Sequence, residues 1–440
     1  MKHPPAPPDL ETIYSAHEKS ITQAVANNAY RTYVQTAQNQ YEHWEKTRYR
    51  AKGKKLDPNA VWFMIAMQRQ LNRQTLPLLV DKDDHPLQFW LTDESQRQLL
   101  LIDQELAGRL SSFSSTRLTK EQKEKYIVNS LMEEAIASSL LEGAPTTRKE
   151  AKQMLRNQRR PKTIGEQMVV NNYHAMMFIK EHLNDNLTTD LIHELHRIVC
   201  EKTMPDDQIG RWRKTEDNVA VVDSRDDEIM HTPPDSDQLD KRMRRLFRFA
   251  NKFWNQSTPF IHPIVQAIAI HFQFAYEHPY CDGNGRVARA LFYWSTMRHR
   301  YWLFEFMPLS TKIRKSAIRY GKAFVYTEQD HFDLGYFLAY HLRVIQLARK
   351  DLHDYLEKQM TRQHEASKLQ QQDGRLNPRQ TLIMHFLRHE GHSEISIAEH
   401  QSRQAISYPT ARSDLLQLNE WGYLTMRKKG KKQIFMLNES

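Results

Sequence analysis

HPYCDGNGRVAR, residues 278–289, interrupts two stretches of helical apolar spacing with a turn. Upstream, Pro263 suits a first helical turn, and Ile264, Ile268, Phe272, Ala275 and Tyr276 give a buried stripe that delivers His278. Downstream, a second helix opens near Gly285 and runs on from Val287 to about Tyr301. The turn therefore lies at a helix mouth, where the first amides lack intrahelical partners and the dipole is positive. Gly283 and Gly285 admit positive φ and let an anion approach the amides closely. Asn284 can cap the helix and donate to a phosphate oxygen. Arg286 and Arg289 share one helical face and can reach the distal phosphates of a triphosphate. Asp282 is a hard oxygen ligand suited to Mg²⁺. His278 has a pKa suited to taking a proton from an attacking hydroxyl. Together these residues suit transfer of a phosphate-containing group onto a hydroxyl.

At 440 residues the chain exceeds the size at which single cores stop growing, so two or three domains are expected. Hydrophobic residues at 40% and charged residues at 26% are ordinary for a folded protein and argue against wholesale disorder. Glycine, at 13 residues, is scarce, which favours helices over turn-rich β architecture. Cys200 and Cys281 cannot build a disulfide framework, and no signal peptide or membrane span is read. A cytoplasmic protein with no membrane partner is expected. The formal charge of +10 permits nucleic-acid contact without demonstrating it.

Taken in order, residues 1–20 read as a flexible leader and 21–118 as an N-terminal domain. That domain holds a helix carrying Trp62, Ile65, Ala66 and Leu71 and a β-hairpin from Leu76 to Thr92. Thr119 with Gln122 is a capping box opening a long helix that Gly143 stops. Glu142 falls at the negative end of that helix, where a carboxylate is disfavoured and a cation from elsewhere would be welcome. Thr147 with Glu150 caps the next helix. The helical period breaks in IGRWRKTEDNVAVVDSRDDEIMHTPP, where Val219, Ala220, Val221 and Val222 suggest a β-hairpin flap whose edge could accept an extended peptide. The helical core spans 119–369, with 119–143 its first helix, and the polar stretch 370–378 reads as a linker. Three short helices and a hairpin around a basic turn then fill 379–440, which is the winged-helix plan.

The motif resembles the Fic family signature HxFx(D/E)GNGRxxR at His278, Pro279, Asp282, Gly283, Asn284, Gly285, Arg286 and Arg289, with Tyr280 in place of the usual Phe. The resemblance extends over roughly Thr119 to Tyr340, through GRWR, HTPP and LSTKIRKSAIRYGKAF. It implies a mainly α fold and a protein adenylyltransferase that moves AMP from Mg-ATP to a Ser, Thr or Tyr hydroxyl of a protein, the chain itself included. By the resemblance His278 is the base and Asp282 the Mg²⁺ ligand. Gly283, Asn284 and Gly285 hold the α- and β-phosphates, and Arg286 and Arg289 the distal ones. The hairpin from about Val219 to Pro234 becomes the target-binding flap. Asn284 stands where the related Doc kinases carry Lys, which points to nucleotidyl transfer.

SSLLEG, with Ser138 four residues before Glu142, resembles the family's inhibitory motif in its N-terminal, class II placement. Glu142 would then pair with Arg289 and block the seat of the γ-phosphate. In some relatives that Glu serves removal of AMP, so de-adenylylation is an alternative reading. The tail resembles a winged-helix DNA-binding domain, with Arg403, Tyr408, Thr410 and Arg412 on or near the recognition helix. Arg427, Lys428, Lys429, Lys431 and Lys432 lie in its wing. A DNA-binding regulator whose core only senses nucleotide is the other alternative, and the sequence leaves the oligomeric state open.

Overall fold

The computed structural model describes residues 3–106, 120–223, 228–372, 375–389, 394–404, 406–429 and 432–438. Its first helices are α1 (Leu10–Ala26), α2 (Asn28–Asn39), α3 (Trp44–Gly53) and α4 (Pro58–Asn72). The antiparallel hairpin β1 (Gln74–Val80) and β2 (Pro86–Phe89) and helix α5 (Asp93–Leu106) follow. Next come α6 (Lys120–Leu141), α7 (Arg148–Arg156), α8 (Ile164–Glu181) and α9 (Thr189–Cys200). A second hairpin, β3 (Val221–Asp223) with β4 (Glu228–His231), precedes α10 (Leu239–Asn251), α11 (Pro263–Glu277) and α12 (Asn284–Arg298). Helices α13 (Leu309–Arg314), α14 (Ala317–Gln329) and α15 (Gly335–Gln372) follow. The C-terminal elements are α16 (Pro378–His389), β5 (Ile395–Ser396), α17 (Ile397–Gln404), α18 (Tyr408–Glu420), β6 (Leu424–Lys429) and β7 (Lys432–Leu437). The molecule is mainly α, as expected. Contacts divide it into residues 1–349 and 350–440.

Helix α11 is the axis of the first unit. Apart from Ala275, every residue from Pro263 to Glu277 is buried, so this helix is covered on all faces. Its polar side chains find partners on different neighbours, although His271 Nδ1 and Gln273 Oε1 have none among the described residues. Gln266 donates to the Phe249 and Lys252 carbonyls, and Gln273 to the Val80 carbonyl. The His271 ring meets Tyr320 Oη at 2.8 Å, and Glu277 takes a two-point ion pair from Arg242 of α10. His262 caps α11 by accepting from the Ile264 amide, and Pro263 occupies the first turn.

Within the leader expected over residues 1–20, the chain is helical from Leu10. Asp9 accepts from the Thr12 amide and starts α1, and Ile13, Ile21 and Ala24 pack with Val34, Trp62 and Ile65. The proline-rich opening hides this because the cap and the first apolar residue follow immediately behind it. The N-terminal helices join the core through a buried ionic cluster. Arg73 pairs with Asp333 at 2.9 Å and Asp330 at 3.3 Å, while Arg69 donates to Tyr336 Oη, Gln38 and the Glu42 carbonyl.

The hairpin expected from Leu76 to Thr92 is present as β1–β2, and the Thr147–Glu150 capping box forms. The Thr119–Gln122 box lies outside what the structure describes. Only Val221 and Val222 of the four expected flap residues belong to strand β3, since Val219 and Ala220 precede it. The expected linker begins too early, because α15 continues through Gln372. In the second unit the three helices and terminal hairpin are joined by β5, giving an antiparallel sheet of order β5-β7-β6. No helix among the described residues is long and apolar enough to cross a membrane.

Candidate active site

His278 ends α11 in the left-handed region, at φ 45° and ψ 56°, a conformation that costs a residue with a β-carbon on the order of 1 kcal/mol. Its neighbours hold it there. The Arg213 main-chain amide donates to the Pro279 carbonyl at 2.8 Å, its Nε to the His278 carbonyl at 2.9 Å, and its Nη2 to the Pro234 carbonyl. The His278 Nδ1 lies 3.3 Å from the Ala275 carbonyl, so Nδ1 carries the proton and Nε2 keeps its lone pair. Burial, and next the nearby His231, draw its pKa down to about 4.

A second histidine shapes the turn. His196 Nδ1 accepts from the Gly210 amide at 3.0 Å, which leaves Nε2–H to donate to the Asp282 carbonyl at 3.0 Å. Its ring stacks on Tyr280 at 3.6 Å with planes 2° apart, and Tyr280 Oη reaches His193 Nδ1 at 2.9 Å. The hydroxyl that distinguishes Tyr280 from the expected Phe therefore has a partner. Asn284 is committed to the same turn: its Oδ1 accepts from the Tyr280 amide and its Nδ2 donates to the Tyr280 carbonyl, at 2.9 and 2.8 Å. It neither caps α12, whose N-cap is Gly283, nor offers its amide outward.

The two arginines diverge. Arg286 is buried and donates to the Val199 carbonyl at 3.0 Å and to Asp282 Oδ2 at 3.1 Å. Arg289 turns to the end of α6. Its Nε donates to Ser138 Oγ at 2.9 Å, its Nη2 to the Ser138 carbonyl at 3.2 Å, and Nη2 meets Glu142 Oε1 at 2.8 Å. This is the cation that the helix end calls for. Arg289 Nη1 is buried and has no hydrogen-bond partner among the described residues.

The glycines also differ. Gly283 has φ +83° and abuts Cys200 Sγ, whereas Gly285 is helical and abuts the Glu142 carboxylate. Asp282 exposes 56% of its side chain, with Oδ1 held by the Gly283 amide at 2.5 Å. One outward carboxylate fits Mg²⁺, which is commonly carried by one or two carboxylates together with substrate phosphates. Burial pushes the Cys200 thiol up to about 12 and the Cys281 thiol up to about 11, so neither is a nucleophile at neutral pH.

His278, Gly285, Arg289 and Glu142 line one cavity of about 500 Å³. Its other wall is largely apolar, formed by Val221 and Met230 of the flap and by Ile318, Tyr320, Phe324 and Val325 of α14. Of this wall the sequence singled out Val221, as a flap residue, and none of the α14 residues. Their signal was the i, i+3, i+4 apolar spacing in SAIRYGKAFV, which reads equally well as core. Val222 and Ile229, on the flap, are half exposed.

The C-terminal basic residues lie apart from this site in the chain. Arg403 lies in the last turn of α17, paired with Glu399, while Thr410 and Arg412 stand in the first turns of α18, and Arg412 is exposed. Lys428 and Lys429 end β6, and Lys431 lies outside the described residues.

Residues 186–295 match the Fic/DOC family. Protein adenylyltransferase Fic of Nematostella vectensis is 35% identical over 108 residues, which are 24% of this chain and 22% of that protein. Protein adenylyltransferase fic-1 of Caenorhabditis elegans is 30% identical over 128 residues, 29% of this chain and 22% of that one. The match thus spans less than a quarter of either relative's length. The crystal structure of a Fic family protein from Desulfovibrio desulfuricans G20 aligns with a TM-score of 0.49 at 20% identity, covering 78% of this chain and 96% of that one. The matched residues 186–295 carry the whole motif turn from His278 to Arg289.

Proposed function

We propose that the chain is a protein adenylyltransferase that Glu142 holds shut. The target hydroxyl oxygen attacks the α-phosphorus of ATP, its proton passes to His278 Nε2, and the bond to the β-phosphate oxygen breaks to release pyrophosphate. The amides at the start of α12 and Arg289 would hold the phosphates, and the apolar wall suits a nucleobase. Asp282 would hold Mg²⁺, which neutralises phosphate charge when bound. The flap edge, with Val222 and Ile229 exposed, suits an extended target segment.

The observation that carries this reading is the 2.8 Å contact of Arg289 with Glu142 inside the cavity that also contains His278. A carboxylate there repels a γ-phosphate and occupies the guanidinium that would receive it. Glu142→Gly, incubated with labelled ATP and Mg²⁺, is expected to label itself or a lysate protein at least tenfold more than the parent. His278→Ala in the same background abolishes the signal. Loss in Glu142→Gly of a parent activity that strips AMP from a pre-labelled protein would instead favour AMP removal, and equal labelling with and without His278 would end the transferase reading.

A further inference from the structure

We infer that His231 is a positioning residue for the transfer proposed above: as an imidazolium it latches the flap to the cavity wall and keeps His278 a free base. The inference rests on that function, but its geometry stands separately. His231 is the last residue of β4, and its side chain is 9% exposed. Its Nδ1 lies 2.7 Å from Glu328 Oε2 on α14, and its Nε2 lies 2.7 Å from the Tyr276 carbonyl in the last turn of α11. Both partners are acceptors. A neutral imidazole has one N–H and can serve only one of them, whereas the doubly protonated ring serves both.

The latch joins three parts of the site. Its strand partner is Val221, which lines the cavity, so the ring fixes where the flap stands over it. Glu328 belongs to the helix that forms the apolar wall, and Tyr276 lies two residues before His278.

The surrounding charges agree. From α14 the ring faces Glu328, and from α11 it faces the Tyr276 carbonyl and, further off, Glu277. Glu277 is already paired with Arg242 of α10 at 2.7 Å, so Glu328 is the carboxylate left to balance the ring. His278 lies on the third side, and Arg213 comes from the segment behind the motif, its guanidinium turned to the Pro234, His278 and Glu277 carbonyls. Burial opposes a charge on His231, but the Glu328 hydrogen bond and charge outweigh it and raise the pKa above the ordinary histidine value. The same cation disfavours a second one on His278. Two histidines of one site are thereby pushed apart, one charged and one neutral, at the same pH.

The test has two arms on the full-length protein. In the first, ¹⁵N-histidine spectra are recorded from pH 5 to 9, with the His231→Gln spectrum identifying the signal. The expected result is a ring protonated on both nitrogens at pH 6.5, with a midpoint above that. A His231 ring already neutral at pH 6 overturns the inference whether or not the protein transfers AMP.

In the second arm, labelling by Glu142→Gly is followed against pH, with and without His231→Gln and His231→Lys. With His231 present, the rate climbs through about pH 4 as His278 loses its proton, and falls on the alkaline side as His231 loses its own. His231→Gln is expected to move the acid limb up by about one pH unit or more and to remove the alkaline limb. His231→Lys, which keeps the charge, returns the acid limb towards its starting position. A uniform loss of rate with both limbs unmoved would mean the ring serves packing alone, and would overturn the latch. Absence of transfer at every pH would remove the proposed function, while the spectra would still decide the charge on His231.

Discussion

At Gly283, with φ at +83°, a β-carbon would stand 2.7 Å from Cys200 Sγ, so alanine there strains the backbone and meets a buried atom at once. At Gly285 the helical backbone accepts alanine, but the new carbon would stand 2.3 Å from Glu142 Oε1. The two substitutions should therefore respond differently to residue 142. Gly283→Ala is expected to lower the unfolding free energy by about 1–2 kcal/mol whether Glu142 or Gly occupies that position. Gly285→Ala should cost a similar amount in the parent and little in Glu142→Gly, a coupling that a urea-denaturation cycle reads directly. Equal losses in both backgrounds would show that the Glu142 carboxylate is not what fills that space. Spacing could locate both glycines but not separate their reasons, since one depends on Cys200 and the other on Glu142, both far off in sequence. The same limit explains Asn284 and Arg286. Each is a donor at a helix mouth, so each reads as a phosphate contact, yet the fold turns Asn284 onto Tyr280 and Arg286 onto Val199. His278 and Arg289 were legible because the helix directions alone bring them to one place.

Helix α6 presents Glu134, Ser138 and Glu142 at intervals of four, one edge of a helix. Ser138 and Glu142 receive Arg289, and Glu134, buried one turn earlier, accepts from the Ser310 amide at 2.9 Å and from Tyr293 Oη at 2.8 Å. The Ser310 hydroxyl also donates to it. Glu134 thus fastens the helix that carries Glu142 to α12 and α13. Glu134→Ala would leave the Ser310 amide and hydroxyl without their buried acceptor, at about 1–3 kcal/mol for such a group, while Tyr293 Oη keeps the Met307 carbonyl. The expected outcome is a fall in stability on the order of 2–3 kcal/mol by urea titration, with basal labelling between that of the parent and that of Glu142→Gly. Unchanged stability together with unchanged labelling would show that the helix is held elsewhere. The sequence offered the Glu142 end of this edge, because a carboxylate at a helix C-terminus conflicts with the dipole. Glu134 gave no such signal: mid-helix it looks solvated, and its partners lie more than 150 residues away.

The chain divides within α15, at residues 349 and 350, although its glycine- and proline-bearing stretch comes later. That stretch marks where the helix stops. The division reflects packing: Leu338, Leu342 and Ile345 are buried in the first unit, and the second builds its own core from Leu376, Ile383, Ala411, Leu415 and Phe435. Polar residues hold the second core at one point. Asp414, almost fully buried, accepts from Arg379 Nε at 2.8 Å, from Asn377 Nδ2 at 3.0 Å, and meets His400 Nε2 at 3.1 Å. Burial alone would raise the Asp414 pKa, but these partners outweigh it and lower it, while burial lowers that of His400. Both depressed values act in the same direction. Each group contributes stability above its unfolded pKa, about 6.5 for His and 3.9 for Asp, and loses it as pH falls through the folded value. The second unit should therefore weaken in two stages, below about pH 6.5 as the unfolded histidine gains a proton, and again below about 4. Calorimetry of the whole chain between pH 7.5 and 4 should show two transitions, both moving to lower temperature as the solution is acidified. The first unit's moves because its buried histidines, His196 and His278 among them, are also held below the ordinary value, and the second unit's through His400. His400→Phe should remove the stage nearer neutrality from the second unit's transition alone, and Asp414→Asn should lower it at pH 7.5. A shift of both transitions together in either variant would mean that the two units unfold as one.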